Sequence, residues 1–526
     1  MKKLPIGIQT LKKIIDNDCI YIDKTPFVKK LTDQGSYFFL SRPRRFGKSL
    51  LLNTLKEAFL GNEALFKGLY LEHHWDWAQK YPVIHIDFGL NQKDISKPVF
   101  NEMLSTILSI NAHQYDLSLK GDHPGVQFHQ LIMDLHKKTG QQVVILIDEY
   151  DKPILDMIDN PEATSEMRDI LRNFYTCIKS NDDKIKFCFL TGVTKFSKVS
   201  LFSGLNNLRD ITLASDFSDC CGYTQSELES VFADYLDGVD MDKLKKWYNG
   251  YNFNGSPTQK VYNPFDILLF FSNHNQFSTY WFETGSPTFL IKLIQKNEYF
   301  VPKFETLTTG ETLLSSFDVD RIDLTTLLFQ TGYLTIEAVS TDPFNGMTQF
   351  KLNFPNFEVK FGLYNSLLVA FKGDIQAASS IKQTVQKALL QSDFEKLRVA
   401  IHSLLTGIPH HNYTNNPIAH YEGYYASLVY ILFSALGLKT TPEDTTSTGR
   451  IDMTVELPDK ILIIEFKVAT PSPKPPSEEG IGGGLLQIKA KNYHQKYLSL
   501  SKGLYAIGIC FDPISRSISD FEWEKL

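Results

Sequence analysis

Two carboxylates and a lysine lie close together in the run RIDMTVELPDKILIIEFKV, near the carboxyl end of the chain. The segments on either side of Pro458-Asp459 are rich in Val and Ile, and Pro and Asp form turns, so the run predicts a β-hairpin. With those two residues as the turn, Asp452 lies directly opposite Glu465, with Cβ atoms about 5 Å apart. Lys467 follows on the same face. Because a divalent cation would offset the repulsion between two such carboxylates, the spacing predicts a metal site.

Helices are predicted on both sides of this hairpin. Before it, IAHYEGYYASLVYILFSALGL predicts an amphipathic helix on which Glu422 shares a face with Tyr425, Val429 and Leu432. A carboxylate on a core-facing stripe is unusual, which makes Glu422 a candidate metal ligand. After the hairpin, LLQIKAKNYHQKYL predicts a second helix, which contains Gln487, and LYAIGICF predicts a third strand.

A second set of residues with chemical potential lies in the amino-terminal half. Residues 36–41, SYFFLS, predict a buried strand, and Gly47-Lys48-Ser49 opens the helix that follows. This is the end of a P-loop, in which Lys48 reaches the β- and γ-phosphates and the Ser49 hydroxyl binds Mg²⁺. The general pattern G-x-x-x-x-G-K-[ST] has Gly where this chain has Arg42. We therefore expect a different turn, in which Arg42, Arg44 and Arg45 add charge around the phosphates.

Acidic residues end another predicted strand, VVILIDEYD. In P-loop ATPases the first acid, here Asp148, holds Mg²⁺, and the second, here Glu149, polarises the attacking water. The segments VIHIDFG and KIKFCFLTGV predict further strands of a parallel sheet, with Asp87 and Thr191 near their carboxyl ends, where such sheets bind ligands. Thr191 is the candidate sensor of the γ-phosphate, and a simple strand cap is the alternative.

Several longer segments resemble the bacterial AAA-ATPase-like family, whose members commonly carry a PD-(D/E)XK nuclease domain at the carboxyl end. The segments are YIDKTPFVKKL, SRPRRFGKSLLL, LIDEYDKPI, FLTGVTKFSKVSLFSGLNNL, KWYNGYNF, VYNPFDIL and YWFETGSPTFLI. The resemblance covers essentially the whole chain and includes Arg42. It implies ATP and Mg²⁺ as cofactors and nucleic acid, with DNA favoured over RNA, as the partner of the carboxyl-terminal domain.

The resemblance also assigns roles to residues of the second site. Asp452 and Glu465 bind Mg²⁺ with Glu422 assisting, Lys467 orients or deprotonates water, and Gln487 contacts the site or the substrate. In the ATPase half it places Tyr21, Asp23, Lys24 and Thr25 on the adenine side, and it leaves Lys195 and Arg209 open between a γ-phosphate contact and plain surface charge. Lys489 and Tyr493 are further candidates for contact with phosphate.

Length and composition set limits on this reading. The chain has 526 residues, 43% hydrophobic and 22% charged, with a net charge of −6, so it is an ordinary globular composition without a dominant basic surface. No signal peptide, membrane span or C-x-x-C pair is visible, so we expect a cytoplasmic protein. Its possible assembly into a homo-oligomer is left open.

The fold class predicted is α/β, with four domains. These are a P-loop domain (1–215), a helical lid (216–295), a winged-helix-like spacer (296–375) and a nuclease-like domain (376–526). The Pro- and Gly-rich segment 469–484 is expected to be a mobile loop. Two other functions are left open: an ATP-driven signalling switch, and a DNA-binding ATPase whose nuclease-like domain does not cleave.

Overall fold

The computed structural model describes residues 1–89, 96–195, 207–283, 288–297, 300–314, 323–407, 422–469, 483–512, 515 and 517–526. The chain forms two compact units, each assembled from two segments. The first unit comprises Met1–Thr284 and Leu307–Asn356, and the second comprises Gly285–Thr306 and Phe357–Leu526. The two units divide the segment 296–375 between them. Each unit combines helices with β-sheet, so the α/β class is confirmed.

Helices and strands are numbered along the whole chain. The α-helices are α1 (Leu11–Asp16), α2 (Thr25–Gln34), α3 (Lys48–Phe59), α4 (Lys97–His113), α5 (Pro124–Thr139), α6 (Lys152–Leu155), α7 (Pro161–Ser180), α8 (Gln225–Val231), α9 (Met241–Tyr248), α10 (Pro264–Ser272), α11 (Tyr280–Glu283), α12 (Thr288–Asn297), α13 (Glu311–Leu314), α14 (Leu324–Thr331), α15 (Phe357–Lys372), α16 (Ile375–Gln391), α17 (Phe394–Thr406), α18 (Glu422–Ser434) and α19 (Gly483–Ala490). The β-strands are β1 (Tyr37–Ser41), β2 (Val83–Asp87), β3 (Val143–Asp148), β4 (Ile185–Gly192), β5 (Arg209–Asp210), β6 (Tyr223–Thr224), β7 (Asn249–Tyr251), β8 (Val261–Tyr262), β9 (Thr308–Gly310), β10 (Thr335–Thr341), β11 (Thr348–Asn353), β12 (Lys439–Thr446), β13 (Gly449–Glu456), β14 (Lys460–Val468), β15 (Gly503–Asp512) and β16 (Ser517–Lys525).

A parallel five-stranded sheet forms the centre of the first unit, in the order β2-β3-β4-β1-β5. The four strands predicted from SYFFLS, VIHIDFG, VVILIDEYD and KIKFCFLTGV are confirmed as β1 to β4. Every residue of β3 is buried, which explains its uninterrupted apolar run. Because all five strands are parallel, their carboxyl ends meet at one edge, where the P-loop also lies.

The rest of the first unit is helical with two small antiparallel sheets, β6-β8-β7 and β10-β11-β9. A capping box begins α8: the Thr224 hydroxyl accepts from the backbone N–H of Glu227, and the Glu227 carboxylate accepts from the backbone N–H of Thr224. An aromatic core joins α8, α9 and α10. It includes Phe232, Tyr248 and Phe270.

The second unit contains a five-stranded mixed sheet, in the order β12-β13-β14-β15-β16. The predicted hairpin is confirmed as β13 and β14, and its register pairs Met453 with Ile464 and Val455 with Leu462. The same register, continued by one residue, sets Asp452 opposite Glu465, as the sequence predicts. Strand β15 joins β14 in parallel, and α18 and α19 lie before and after the hairpin in the chain.

The predicted mobile loop lies mostly outside the described residues. Of the Pro- and Gly-rich segment 469–484, only residues 469, 483 and 484 are described. Among the described residues, no helix is both long enough and apolar enough to cross a membrane.

Candidate functional site

The carboxylates of Asp452 and Glu465 meet across the β13–β14 hairpin in the second unit. Asp452 Oδ2 accepts a hydrogen bond of 2.8 Å from the backbone N–H of Phe466, and the Asp452 N–H donates to Glu465 Oε1 at 3.3 Å. Glu465 is fully buried. Burial, followed by the neighbouring Asp452 charge, raises the pKa of Glu465 to about 8. A cation between the two carboxylates would offset this shift, because it stabilises the ionised form of Glu465.

Gln487 and Lys467 complete the polar contacts of Glu465. Gln487 Nε2 donates to Glu465 Oε2 at 2.8 Å, and Lys467 Nζ lies 3.8 Å from the same oxygen. The Lys467 side chain is 36% exposed, whereas Glu465 is inaccessible. The Lys467 side chain is thus the solvent-accessible member of this contact.

Two glycines hold α19 close enough for the Gln487 contact, and the sequence analysis missed both. A Cβ on Gly508 would lie 2.6 Å from the backbone nitrogen of Leu485, and a Cβ on Gly484 would lie 3.0 Å from Gly508 Cα. Helix α19 and strand β15 are thus in backbone contact, one helical turn before Gln487. A pair of facing glycines, Gly484 and Gly508, indicates this close contact, but the two are far apart in the sequence and are recognised as a pair only in the folded structure.

Other residues predicted for this site have mixed outcomes. Glu422 begins α18, but its side chain lies outside the described residues. Lys489 forms an ion pair with Glu524 at the surface. Tyr493 is buried and its hydroxyl donates to the carbonyl of Arg450 at 3.0 Å, which ties it to the start of β13. Its contact with phosphate stays a prediction.

In the first unit, the P-loop has the expected helix-opening geometry. Gly47 has a φ of +91° and is the N-cap of α3, a conformation that glycine adopts without strain. Lys48 is almost fully buried, and its ammonium donates to the carbonyls of Arg42 and Pro43, each at 3.0 Å. Burial lowers the pKa of Lys48. The N–H groups of the Lys48 ammonium thus bind the loop itself, and a phosphate group would replace the two carbonyls as their acceptor.

Arg42 contacts other parts of the protein, and its predicted contribution of charge around the phosphates stays a prediction. It is buried, and its guanidinium donates to the carbonyls of Ser41, Thr212 and Phe217 at 2.7–3.0 Å. The guanidinium also stacks on the ring of Phe253, 4.0 Å from its centroid. Arg42 therefore cross-links the segments around the P-loop, a role that requires a planar group with several donors.

The exposed arginines of the loop lie beside a cavity of about 380 Å³. Arg45 has a φ of +67° and lies over the ring of Phe265, 5.0 Å from its centroid. The cavity joins a polar side, formed by the P-loop with Glu149 and Asp151, to an apolar side. The apolar wall includes Ile8, Ile20, Tyr21, Ile22, Cys220, Tyr223, Phe265 and Leu268. The lining thus combines the charged and apolar groups that a nucleotide would contact.

Acidic side chains cluster at the carboxyl ends of β2 and β3. Asp148 pairs with Asp87 in the sheet register and forms a hydrogen bond with the Ser49 hydroxyl. Burial raises the pKa of Asp148 to about 6, and burial also raises the pKa of Glu149. Glu149 has a φ of +50°, in the left-handed region. Gly89 lies close to the Asp87 carboxylate, since a Cβ on Gly89 would lie 2.9 Å from Asp87 Oδ1. The sequence predicted this meeting of Ser49, Asp148 and Glu149.

Asp151 is a buried carboxylate that the sequence analysis did not single out. It accepts hydrogen bonds from the backbone N–H groups of Val193 and Thr194 and from the Thr194 hydroxyl. It thereby fixes the chain that leaves β4, next to Lys48. Thr191, the predicted sensor, is fully buried, its hydroxyl has no partner among the described residues, and it is absent from the cavity wall.

The residues upstream of the P-loop separate into two groups. Tyr21 and Lys24 line the cavity, and Lys24 also forms an ion pair of 2.6 Å with Glu227. Asp23 and Thr25 instead accept hydrogen bonds from the backbone N–H groups of Tyr70 and Leu71. The latter pair therefore has a structural role at the start of α2.

The two remaining candidates for a phosphate contact both have other partners. Lys195 forms an ion pair with Asp210. Arg209 donates to Gln34 at 2.9 Å and lies over the ring of Phe38.

The donor atoms of both sites suit Mg²⁺. Within the described residues, no cluster of three or more His, Cys, Asp or Glu side chains forms a ready metal cage. Mg²⁺ prefers oxygen ligands, usually keeps several waters and is bound through one or two carboxylates, so it does not need such a cage. Asp452 with Glu465 supplies two carboxylates, and Asp148 with Ser49 supplies a carboxylate and a hydroxyl. Both sets therefore fit the ion.

Two family models match the parts of the chain that contain these residues. Residues 5–202 match a family described as predicted AAA-ATPase, and residues 420–521 match the PD-(D/E)XK nuclease superfamily. An uncharacterized protein in the vnfD 5' region of Azotobacter chroococcum mcd 1 is 44% identical over 532 residues, covering 100% of this chain and 99% of that protein. No solved structure gives a significant match.

Proposed function

We propose that the protein binds and hydrolyses ATP and cleaves DNA with Mg²⁺. It belongs to the AAA-ATPase-like family and carries a PD-(D/E)XK nuclease superfamily domain at its carboxyl end. The observation that carries the proposal is the contact of Asp452, Glu465, Gln487 and Lys467 at one end of the hairpin. A buried glutamate with a raised pKa beside a second carboxylate costs folding energy, and such groups persist at functional sites.

In the ATPase step, the P-loop holds the phosphates of ATP. Lys48 exchanges its two carbonyl acceptors for phosphate oxygens, while the N-terminus of α3 offers its free N–H groups. Ser49 and Asp148 would hold Mg²⁺, which neutralises the phosphate charge. Glu149, at the end of β3 beside Asp148, orients and polarises the attacking water.

In the nuclease step, the residues around Glu465 bind and position a phosphodiester. Asp452 and Glu465 would hold Mg²⁺, which activates water and offsets charge on the phosphate. Lys467 orients that water and stabilises the negative charge that develops on the phosphate oxygens. Gln487 restrains the Glu465 carboxylate, because its amide donates to the oxygen that also faces Lys467. Gln487 is thus a positioning residue.

The test of the proposal is a cleavage assay with matched variants. Linear, circular and single-stranded DNA and RNA are incubated with Mg²⁺, with and without ATP. The proteins are wild type, Asp452→Asn, Lys48→Ala and the control Asp459→Asn, which removes an exposed carboxylate from the turn of the same hairpin. We expect Asp452→Asn to abolish cleavage and spare ATP hydrolysis, and Lys48→Ala to abolish ATP hydrolysis. Asp459→Asn should retain both activities.

One observation favours the alternative of an ATP-driven switch with a non-cleaving nuclease-like domain. Lysines near the site are neutralised within the chain, since Lys489 pairs with Glu524 and Lys496 with Asp444. ATP hydrolysis without cleavage of any of the four substrates would support that alternative. Cleavage that purified Asp452→Asn retains at the wild-type rate would refute the assignment of the site.

A further inference from the structure

Two adjacent cysteines, Cys220 and Cys221, lie on the wall of the nucleotide cavity. Their side chains are 1% and 3% exposed, and both are free thiols. The cavity that they line also contains Lys48 and Ser49 of the P-loop. Neither thiol has a role in the ATPase or nuclease steps. The cavity is thus the part of the surface from which a small molecule can reach them.

The backbone on both sides of this pair is fixed. The Cys220 N–H donates to the carbonyl of Phe217 at 3.3 Å, and the Gly222 N–H donates to the carbonyl of Phe46 at 3.2 Å. Gly222 has a φ of +87°, and a Cβ there would lie 2.8 Å from the Val261 side chain. The thiols are therefore held beside the P-loop by the fold.

The chemistry of the pair favours a single bridging atom over a disulfide. The Cys221 thiol donates to the Cys220 sulfur, which lowers the pKa of Cys220, and the positive charges of Arg42 and Lys24 act in the same direction. Adjacent Cα atoms are about 3.8 Å apart, closer than the roughly 4.4–6.8 Å that disulfides span. A disulfide here would be strained, whereas one soft atom can bind both sulfurs without an S–S bond.

We propose that Cys220 and Cys221 form a dithiol site for soft, thiophilic ions such as trivalent arsenic, and that occupation of this site and of the nucleotide site exclude each other. The second clause rests on the proposed nucleotide binding. With phenylarsine oxide as the probe, two S–H bonds break, two As–S bonds form and the oxygen leaves as water. Arsenic stays trivalent, so the reaction needs no oxidant or reductant.

The experiment measures the intact mass of the full-length protein after treatment with phenylarsine oxide. The variants are Cys220→Ser, Cys221→Ser and the control Cys177→Ser, which removes a partly exposed cysteine in α7. We expect one phenylarsenic adduct on wild type and Cys177→Ser and none on either of the other variants. A competing small dithiol should remove the adduct. Thermal melting of each untreated variant verifies that it is folded.

The nucleotide arm uses the same reaction with MgATP present. If only the nucleotide-free protein reacts, ATP at 100 times its Kd slows adduct formation about 100-fold. An adduct that survives Cys220→Ser or Cys221→Ser in folded protein overturns the dithiol site, and an ATP-independent rate overturns the exclusion. ATP binding to untreated protein is measured separately, so a failure of nucleotide binding is distinguished from a failure of the dithiol site.

Discussion

Replacing Gly508 by Ala tests how the nuclease-like site is positioned. The new methyl carbon would lie 2.6 Å from the nitrogen of Leu485 and 3.2 Å from the carbonyl carbon of Gly484, both backbone atoms. Neither can rotate away, so α19 must move off β15. Overpacking of this kind costs about 1–3 kcal/mol. For the second unit, of about 190 residues, each kcal/mol lowers Tm by about 2–4 °C.

The displacement should also weaken the site, because Gln487 lies one turn along α19 and its 2.8 Å bond to Glu465 leaves little slack. We expect Gly508→Ala to lower the Tm of the second unit and to reduce DNA cleavage. The matched control is Gly503→Ala, in the same strand, where the nearest atom to a new Cβ lies at 3.4 Å. Scanning calorimetry and the cleavage assay measure both effects. An unchanged Tm together with unchanged cleavage for Gly508→Ala would refute the reasoning.

Three further predictions concern buried charged or titratable groups. In metal-free protein, Glu465 keeps its proton up to a pKa of about 8, whereas the unfolded chain loses it near pH 4.5, so the stability falls as pH rises between these values. In the presence of a chelator, Glu465→Gln should remove this slope and raise the stability at pH 7 by about 1–3 kcal/mol, and it should also remove the stabilisation by Mg²⁺ expected for wild type. Urea titrations measure the slope, and an unchanged slope would contradict the assignment. Burial lowers the pKa of His85 to about 4, so between pH 6.5 and pH 4 the unfolded chain binds a proton that the folded chain does not. The stability should therefore fall as pH drops from 6.5 to 4. His85→Gln should reduce that loss, which is measured as the melting temperature against pH. Arg42→Lys should lower the free energy of unfolding by about 2–4 kcal/mol, because one ammonium cannot reach all three carbonyls that the guanidinium reaches. A denaturation midpoint equal to that of wild type would rule out the cross-linking role.

Much of the local chemistry could be predicted from short stretches of sequence. The turn at Pro458-Asp459 and the Val- and Ile-rich segments on either side of it predicted the register of β13 and β14, and so the meeting of Asp452 with Glu465. A hairpin register follows from its turn length, which is local information. Gly47-Lys48-Ser49 likewise marked the end of the P-loop and the start of α3.

Residues whose role depends on distant partners could not be assigned in this way. Arg42 stands in the P-loop and is charged, so the sequence alone favoured a phosphate contact. Its acceptors belong to residues 41, 212 and 217, and burial against them decides its role. The phenol of Tyr493 is polar, yet packing against β13 directs it to a backbone carbonyl.

The sequence by itself therefore determined the α/β class, the two motifs and the pairing of Asp452 with Glu465. These depend on patterns that repeat over a few residues, such as apolar alternation and turn residues. Tertiary structure alone decided that Gly484 faces Gly508, that Asp151 holds the chain after β4, and that Cys220 and Cys221 line the cavity beside the P-loop. The physical reason is that close packing joins residues far apart in the chain, and no single segment records its neighbours.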